Sequence, residues 1–77
     1  MGAGAAGWMS YLVKRSFSLA GHRTSVALEA EFWQALEQLA VLQSRSLSSL
    51  VSELDGDRSP DRPLASVLRV HALRHGR

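Results

Sequence analysis

The stretch from His22 to Leu54, HRTSVALEAEFWQALEQLAVLQSRSLSSLVSEL, contains the change of hydrophobic period that decides the fold. Over residues 23–28, apolar side chains alternate with polar or small ones, which is the period of a β-strand. From residue 30 onward, apolar side chains recur every three or four positions, as on one face of an α-helix. The stretch therefore predicts a short strand followed by amphipathic helices.

The same periodicity, with capping residues, predicts the helices. They are expected over about 30–44, 47–54 and 64–75. Ser46 is suited to cap the second helix, and Gly56 is suited to end it in a left-handed conformation. Pro63 fits the first turn of the third helix. Trp33 lies beside the apolar stripe of the first helix, where we expect it to cover a partner chain.

The segment before the strand gives a weaker signal. Residues 16–19 also alternate, but Ala20-Gly21-His22 interrupts the pattern, and Gly21 is expected to mark a bend or a bulge. Residues 1–13 are expected to form a flexible leader, and residues 14–77 a single ribbon-and-helix domain.

The size of the chain predicts an oligomer. A chain of 77 residues without cysteine has no disulfide to compensate for a small core. A lone strand also has unpaired edges, so we expect it to pair with the same strand of a second subunit across a two-fold axis. The residues predicted to form the core of this obligate homodimer are Thr24, Val26, Leu28, Phe32, Leu36, Leu39, Leu50, Val51 and Leu54.

The charges are unevenly distributed. Residues 1–28, 29–61 and 62–77 carry net charges of +3, −5 and +4, so two basic ends flank an acidic middle. Eight of the nine basic residues are arginine, whose planar guanidinium suits bidentate contact with phosphate or guanine. Either a salt-bridged surface or a nucleic-acid partner fits this distribution.

Several functional classes are not supported by the sequence. No stretch approaches the roughly 20 apolar residues of a membrane span, and no secretory signal is apparent, so we expect a cytoplasmic protein. His71 and His75 are four residues apart but lack a third nearby ligand, so no metal site is expected. No catalytic triad or phosphate-binding loop is apparent, and we expect neither a cofactor nor an enzyme.

The sequence resembles a known family. Residues 22–54, quoted above, are similar to the ribbon-helix-helix domain of small bacterial repressors, and KRSFSLAGHRTS (14–25) and SVLRVHALR (66–74) resemble a subgroup of short bacterial proteins built on that domain. The resemblance implies a mostly α-helical fold with one short strand per chain. It also implies an intertwined homodimer with an intersubunit antiparallel ribbon, here with a third helix at the C-terminal end.

The resemblance further implies a DNA-binding transcriptional regulator whose β-ribbon enters the major groove. The family's three base-reading strand positions fall on Arg23, Ser25 and Ala27. Its phosphate clamp, at the N-terminus of the second helix, falls on Ser46, Leu47 and Ser48. The basic side chains expected to add phosphate contacts are Lys14, Arg15 and Arg45.

Two alternatives remain open, because Ser25 and Ala27 are weak base readers. In the first, the chain is an antitoxin-like interaction module that binds a protein partner through residues 57–77. In the second, it is a ligand-sensing dimer that has lost DNA binding and uses the bend at Gly21 and His22.

Overall fold

The fold opens with a two-stranded antiparallel hairpin. The computed structural model describes residues 12–76. Strand β1 spans Leu12–Leu19 and strand β2 spans His22–Glu29, with Leu19 opposite His22 and Leu12 opposite Glu29. Ala20 and Gly21 join the strands with φ angles of 52° and 82°. Positive φ at both positions is the signature of the two-residue turn whose twist matches that of the strands.

The hairpin corrects one prediction. A ribbon followed by helices is confirmed, but the single chain has two strands where one was predicted. Ala20-Gly21 is a reversal between two strands, not a bend within one. The strand predicted over 23–28 is therefore the second half of a hairpin, and its pairing with a second subunit stays a prediction.

The start of the hairpin also limits the predicted leader. Leu12 and Val13 belong to β1, so a leader over 1–13 does not extend to them. Residues 1–11 lie outside the described residues.

Helix α1 follows β2 directly and spans Ala30–Leu42, two residues shorter than predicted. It stops before Ser44, whose φ of 56° is left-handed. The prediction that Trp33 covers a partner chain is wrong, because Trp33 is 1% exposed in the core of its own chain. Phe32, predicted on the core stripe, is only partly buried. The buried stripe of α1 is Trp33, Leu36, Leu39 and Ala40.

Helix α2 spans Leu47–Asp57 and helix α3 spans Leu64–His75. The prediction that Gly56 ends α2 is wrong, because the helix runs through it and stops at Arg58 in an extended conformation. The bounds of α3 agree with the prediction, with Pro63 as its N-cap.

The helices pack on one face of the hairpin, with α1 and α3 against β2 and α2 against β1. Nine residues were predicted for a dimer core. Six of them are buried within this single chain: Val26, Leu28, Leu36, Leu39, Leu50 and Val51. The other three, Thr24, Phe32 and Leu54, are partly buried. The hairpin contributes Phe17 and Leu19 as well. One chain thus closes a continuous core among its described residues.

Trp33 holds this core to β1. Its indole Nε1–H donates a hydrogen bond to the carbonyl oxygen of Val13 (2.7 Å), and its ring centroid lies 5.8 Å from that of Phe17. A buried polar group left without a partner costs about 1–3 kcal/mol, so this hydrogen bond fixes where β1 crosses α1.

We expect Trp33→Phe to lower the free energy of unfolding by about 1–3 kcal/mol, because phenylalanine keeps an aromatic ring but leaves the Val13 carbonyl unpaired. Urea titration followed by circular dichroism measures the change. Val41→Ala, at a site 75% exposed on the same helix, is the control and should stay within about 0.5 kcal/mol. Equal effects from the two variants would contradict this role.

His71 is a second partly buried polar group, on α3. Its Nε2 is buried and has no hydrogen-bond partner among the described residues, and its ring centroid lies 4.5 Å from that of His75. Burial, and the neighbouring His75, lower the pKa of His71 below its usual 6.5, although Glu53 opposes the shift. The folded chain therefore favours the neutral imidazole.

Because the folded pKa of His71 lies below the unfolded value of 6.5, the unfolded chain binds its proton first as the pH falls. We expect the free energy of unfolding to decrease as the pH drops from 7 to 5, and to decrease less in His71→Leu. Urea titrations across this range measure the difference. His22→Leu, at an exposed histidine, should keep the wild-type dependence; if both variants behave alike, the assignment to His71 fails.

Candidate nucleic-acid interface

The outer face of the hairpin is a polar surface contributed by both strands. The alternation of the strands turns Phe17, Leu19, Val26 and Leu28 toward the helices. The opposite face has Leu12 and Glu29 at one end and six further residues, which we call the outer ribbon face: Lys14, Ser16 and Ser18 from β1, and Arg23, Ser25 and Ala27 from β2. All six are exposed except Ala27, which is half-buried.

The register arranges these residues in three cross-strand pairs. Lys14 lies opposite Ala27, Ser16 opposite Ser25, and Ser18 opposite Arg23. The hydroxyl oxygens of Ser16 and Ser25 are 3.1 Å apart, within hydrogen-bond distance. The outer ribbon face therefore has one positive charge near each end and a pair of hydroxyls between them.

No acidic residue lies among these six, because the sequence has none before Glu29, which follows Ala27 at the end of the same face. Glu29, at the end of β2, is bound by Arg69 of α3 (3.1 Å). Hydrogen bonding to its own backbone, followed by the bond from Arg69, lowers the pKa of the Glu29 carboxyl. The acid closest to the outer ribbon face is thus ionised and paired with α3.

Arg15 lies on the opposite face of β1. Its Nη1 donates to the carboxylate of Glu37 (2.6 Å), and its guanidinium carbon lies 5.2 Å from the centroid of the Trp33 ring. Lys14 and Arg15 are neighbours in sequence, but the strand turns them to opposite sides. Because its guanidinium binds β1 to α1, the phosphate contact predicted for Arg15 would have to share this group with Glu37.

The N-terminus of α2 has the cap that the sequence predicts. The hydroxyl of Ser46 accepts a hydrogen bond from the N–H of Ser49 (3.0 Å). Ser48 is exposed and Leu47 is half-buried. The cap satisfies the N–H of Ser49. The N–H groups that precede it in the first turn point away from the body of the helix, which is the arrangement that binds an anion.

Arg45, just before this helix, is bound by other residues of the chain. Its guanidinium donates to the carbonyl and hydroxyl oxygens of Ser49 (3.0 and 2.8 Å) and to the carboxylate of Glu53. These contacts fasten the connection between α1 and α2. A phosphate would have to share this guanidinium with Glu53.

The predicted ligand bend is the hairpin turn itself. Gly21 and His22 are both exposed at the tip of the hairpin, and nothing in the described residues lies within 4 Å of where a Cβ on Gly21 would be. The turn therefore offers a small molecule no enclosure.

Ser16 and Ser18 lie on the outer ribbon face but are not among the site residues predicted from the sequence. The available signal was the alternation of residues 16–19 before Gly21, since glycine readily adopts the positive φ that a two-residue hairpin turn requires. The bend interpretation placed them outside the ribbon.

Other kinds of site find little support in this part of the chain. Residues 12–76 contain no cluster of three or more metal-ligating side chains placed to hold an ion. No helix described here has the length and hydropathy that crossing a membrane requires.

Comparison with protein families agrees with this architecture. The family model described as the ribbon-helix-helix domain matches residues 12–76. The chain belongs to the ribbon-helix-helix family. The match begins with β1 and extends past α3. In this ribbon-helix-helix protein, the family domain therefore includes the first strand and the third helix, both of which lie outside residues 22–54.

A solved structure shares the fold. This chain is similar to an uncharacterized protein from Bordetella pertussis Tohama I, with 31% identity and a TM-score of 0.71. The likeness covers 92% of this chain and 61% of that one, so the Bordetella protein is considerably longer. Comparison with curated proteins gives no match.

We expect Ser46→Ala to lower the free energy of unfolding by about 1 kcal/mol, because the N–H of Ser49 loses its capping acceptor. Thermal or urea unfolding measures the loss. Ser48→Ala, two residues on and exposed, is the matched control and should change stability by less than about 0.5 kcal/mol. Equal stability of the two variants would show that the cap contributes nothing.

Proposed function

We propose that this chain is a DNA-binding transcriptional regulator that places the outer ribbon face in the major groove. The observation that carries the proposal is the composition of that face: an exposed ribbon surface with Lys14, Arg23 and three hydroxyls, whose neighbouring acid, Glu29, is paired with Arg69. Membership in the ribbon-helix-helix family supports it, because a two-stranded ribbon has a width that the major groove admits.

The distribution of charge supports the same orientation. The acidic residues begin at Glu29, the last residue of β2, so the part of the hairpin before it has none. Four arginines are paired with acids: Arg15 with Glu37, Arg45 with Glu53, Arg58 with Asp55, and Arg69 with Glu29. Lys14 and Arg23 take part in none of these pairs. The two cations of the outer ribbon face are thus available to DNA.

The roles on DNA divide by chemistry. Arg23 is the strongest reader, because its guanidinium matches the two acceptors of guanine. Ser25 offers a hydroxyl, and Ala27 offers a methyl group to thymine. The N-terminus of α2, with Ser46, Leu47 and Ser48, is the proposed phosphate contact.

We also propose that the protein acts as a homodimer, as is general in the family. The open edge of β2 is the place where we expect the second subunit to pair.

The alternative of a protein-binding tail over 57–77 has less support. Leu64, Leu68 and Ala72 of α3 are buried in the core, Leu68 completely. Arg69 also joins α3 to the end of the ribbon through Glu29. Releasing α3 to a partner would expose the core, so this segment is better described as part of the fold.

We expect Arg23→Ala to weaken binding to a preferred duplex by about 1–3 kcal/mol, because a guanine contact is lost. Fluorescence anisotropy of a labelled duplex, selected from a random pool, measures the dissociation constant. Arg74→Ala removes the same charge at an exposed position on α3 and should weaken binding much less.

The same titration on random duplex over a range of salt tests DNA binding as such. The logarithm of the binding constant should fall linearly with the logarithm of salt, with a slope of about −0.9 for each phosphate contacted. Absence of binding at low salt would refute the proposed function, whereas equal losses in Arg23→Ala and Arg74→Ala would refute only the reading role of Arg23.

A further inference from the structure

We propose that Arg69 of α3 is a positioning residue for DNA binding: it draws the carboxylate of Glu29 away from the end of the outer ribbon face, where that carboxylate would repel the phosphates of DNA. The proposal rests on the DNA-binding function proposed above and adds a role for the third helix. In this role Arg69 acts through Glu29 and does not itself touch DNA.

Glu29 is the acid that the alternation of β2 directs toward the DNA. It follows Arg23, Ser25 and Ala27 at every second position of the strand, so the four side chains leave the strand on the same side. It lies two residues beyond Ala27, or about 7 Å at roughly 3.3 Å per residue. The Debye length at physiological salt is about 8 Å, so a free carboxylate here would be close enough to repel DNA bound at Ala27.

Arg69 binds this carboxylate from the other side of the hairpin. Its Nε donates to a carboxylate oxygen of Glu29 (3.1 Å), which joins residues 40 positions apart in sequence. Because α3 packs against β2 on the side that the helices cover, the bond turns the carboxylate toward the helices. The side chain of Glu29 makes no capping hydrogen bond to α1, so the bond to Arg69 sets its direction.

Arg69 is itself held in place by its surroundings. Its guanidinium carbon lies 5.9 Å from the centroid of the Phe32 ring on α1, within the range of a cation–π contact. Its neighbour Leu68 is fully buried and anchors this turn of α3. The side chains of Arg69 and Glu29 are each 35% exposed, and a partly buried pair is screened less by salt than an exposed one.

The pair sets the local charge at this end of the ribbon. The ordinary pKa of the Glu29 carboxyl is 4.5, and hydrogen bonding to its own backbone, followed by the bond from Arg69, lowers it further. The group is therefore ionised at neutral pH with or without Arg69. Lys14 lies opposite Ala27, the next outward position of β2, so an unpaired Glu29 would offset the ammonium group that Lys14 offers to DNA.

Three variants test this role: Arg69→Gln, Glu29→Gln and the double variant. Fluorescence anisotropy measures their binding to the duplex that wild type prefers. We expect Arg69→Gln to raise the dissociation constant about threefold to tenfold, because an unpaired carboxylate then faces the phosphates. We expect Glu29→Gln and the double variant to bind no more than about twofold more weakly than wild type, because no carboxylate remains to repel DNA.

The same variants separate this role from two others. If Arg69 only fastened α3 to the ribbon, Glu29→Gln would break the same ion pair and weaken binding as much as Arg69→Gln. If Arg69 contacted a phosphate directly, Arg69→Gln would weaken binding as much in the Glu29→Gln background as in wild type. Either result, or unchanged binding in Arg69→Gln, would overturn the inference.

Two further variants control for charge and for folding. Arg69→Lys keeps the positive charge and should bind within about twofold of wild type, whereas a loss equal to that of Arg69→Gln would contradict the role. Arg74→Gln removes the same charge at an exposed position of the same helix and should weaken binding less than Arg69→Gln. Urea unfolding confirms that all variants remain folded.

The salt dependence provides a last check. The difference between Arg69→Gln and wild type should decrease as salt is raised, because salt screens the repulsion between the carboxylate and the phosphates. A difference that does not change with salt would contradict an electrostatic role. Failure of wild type to bind any duplex at low salt would instead refute the proposed function, and this inference with it.

Discussion

The hydrogen bond from the Trp33 indole to the Val13 carbonyl is the contact on which the arrangement of the chain depends. This bond joins the first strand to the first helix, across 20 residues of sequence. The Phe17 ring and the Arg15 guanidinium also contact the Trp33 indole ring. These contacts fix which face of β1 turns inward, and so decide that Lys14, Ser16 and Ser18 turn outward.

The sequence predicted the helical half of the fold well. The 3.6-residue period located all three helices, and the cap at Ser46 and the start of α3 after Pro63 are confirmed. The end of α2 was wrong because a glycine near a helix end permits a left-handed cap without requiring one. Gly56 is helical, and nothing lies within 4 Å of where its Cβ would be. Neither its conformation nor its surroundings therefore require a glycine there, and the glycine did not mark the end of the helix.

The ribbon was harder to predict for a different physical reason. Alternation identifies which residues share a face, but it does not tell whether a strand pairs with its own chain or with a second copy. The φ angles at Ala20 and Gly21 show that β1 turns back to pair with β2, and this was hard to predict because alanine seldom adopts a left-handed conformation. For the same reason the position of Trp33 was missed: its role depends on β1 lying over α1, which only the hairpin provides.

The hairpin also changes how this protein would reach its native state. In an intertwined dimer the ribbon forms only when two chains meet, so folding and assembly are one concentration-dependent event. Here residues 12–29 pair across a two-residue turn, and hairpins of this kind form within microseconds because their contacts are local in sequence. The hairpin can therefore form within each chain before two chains meet.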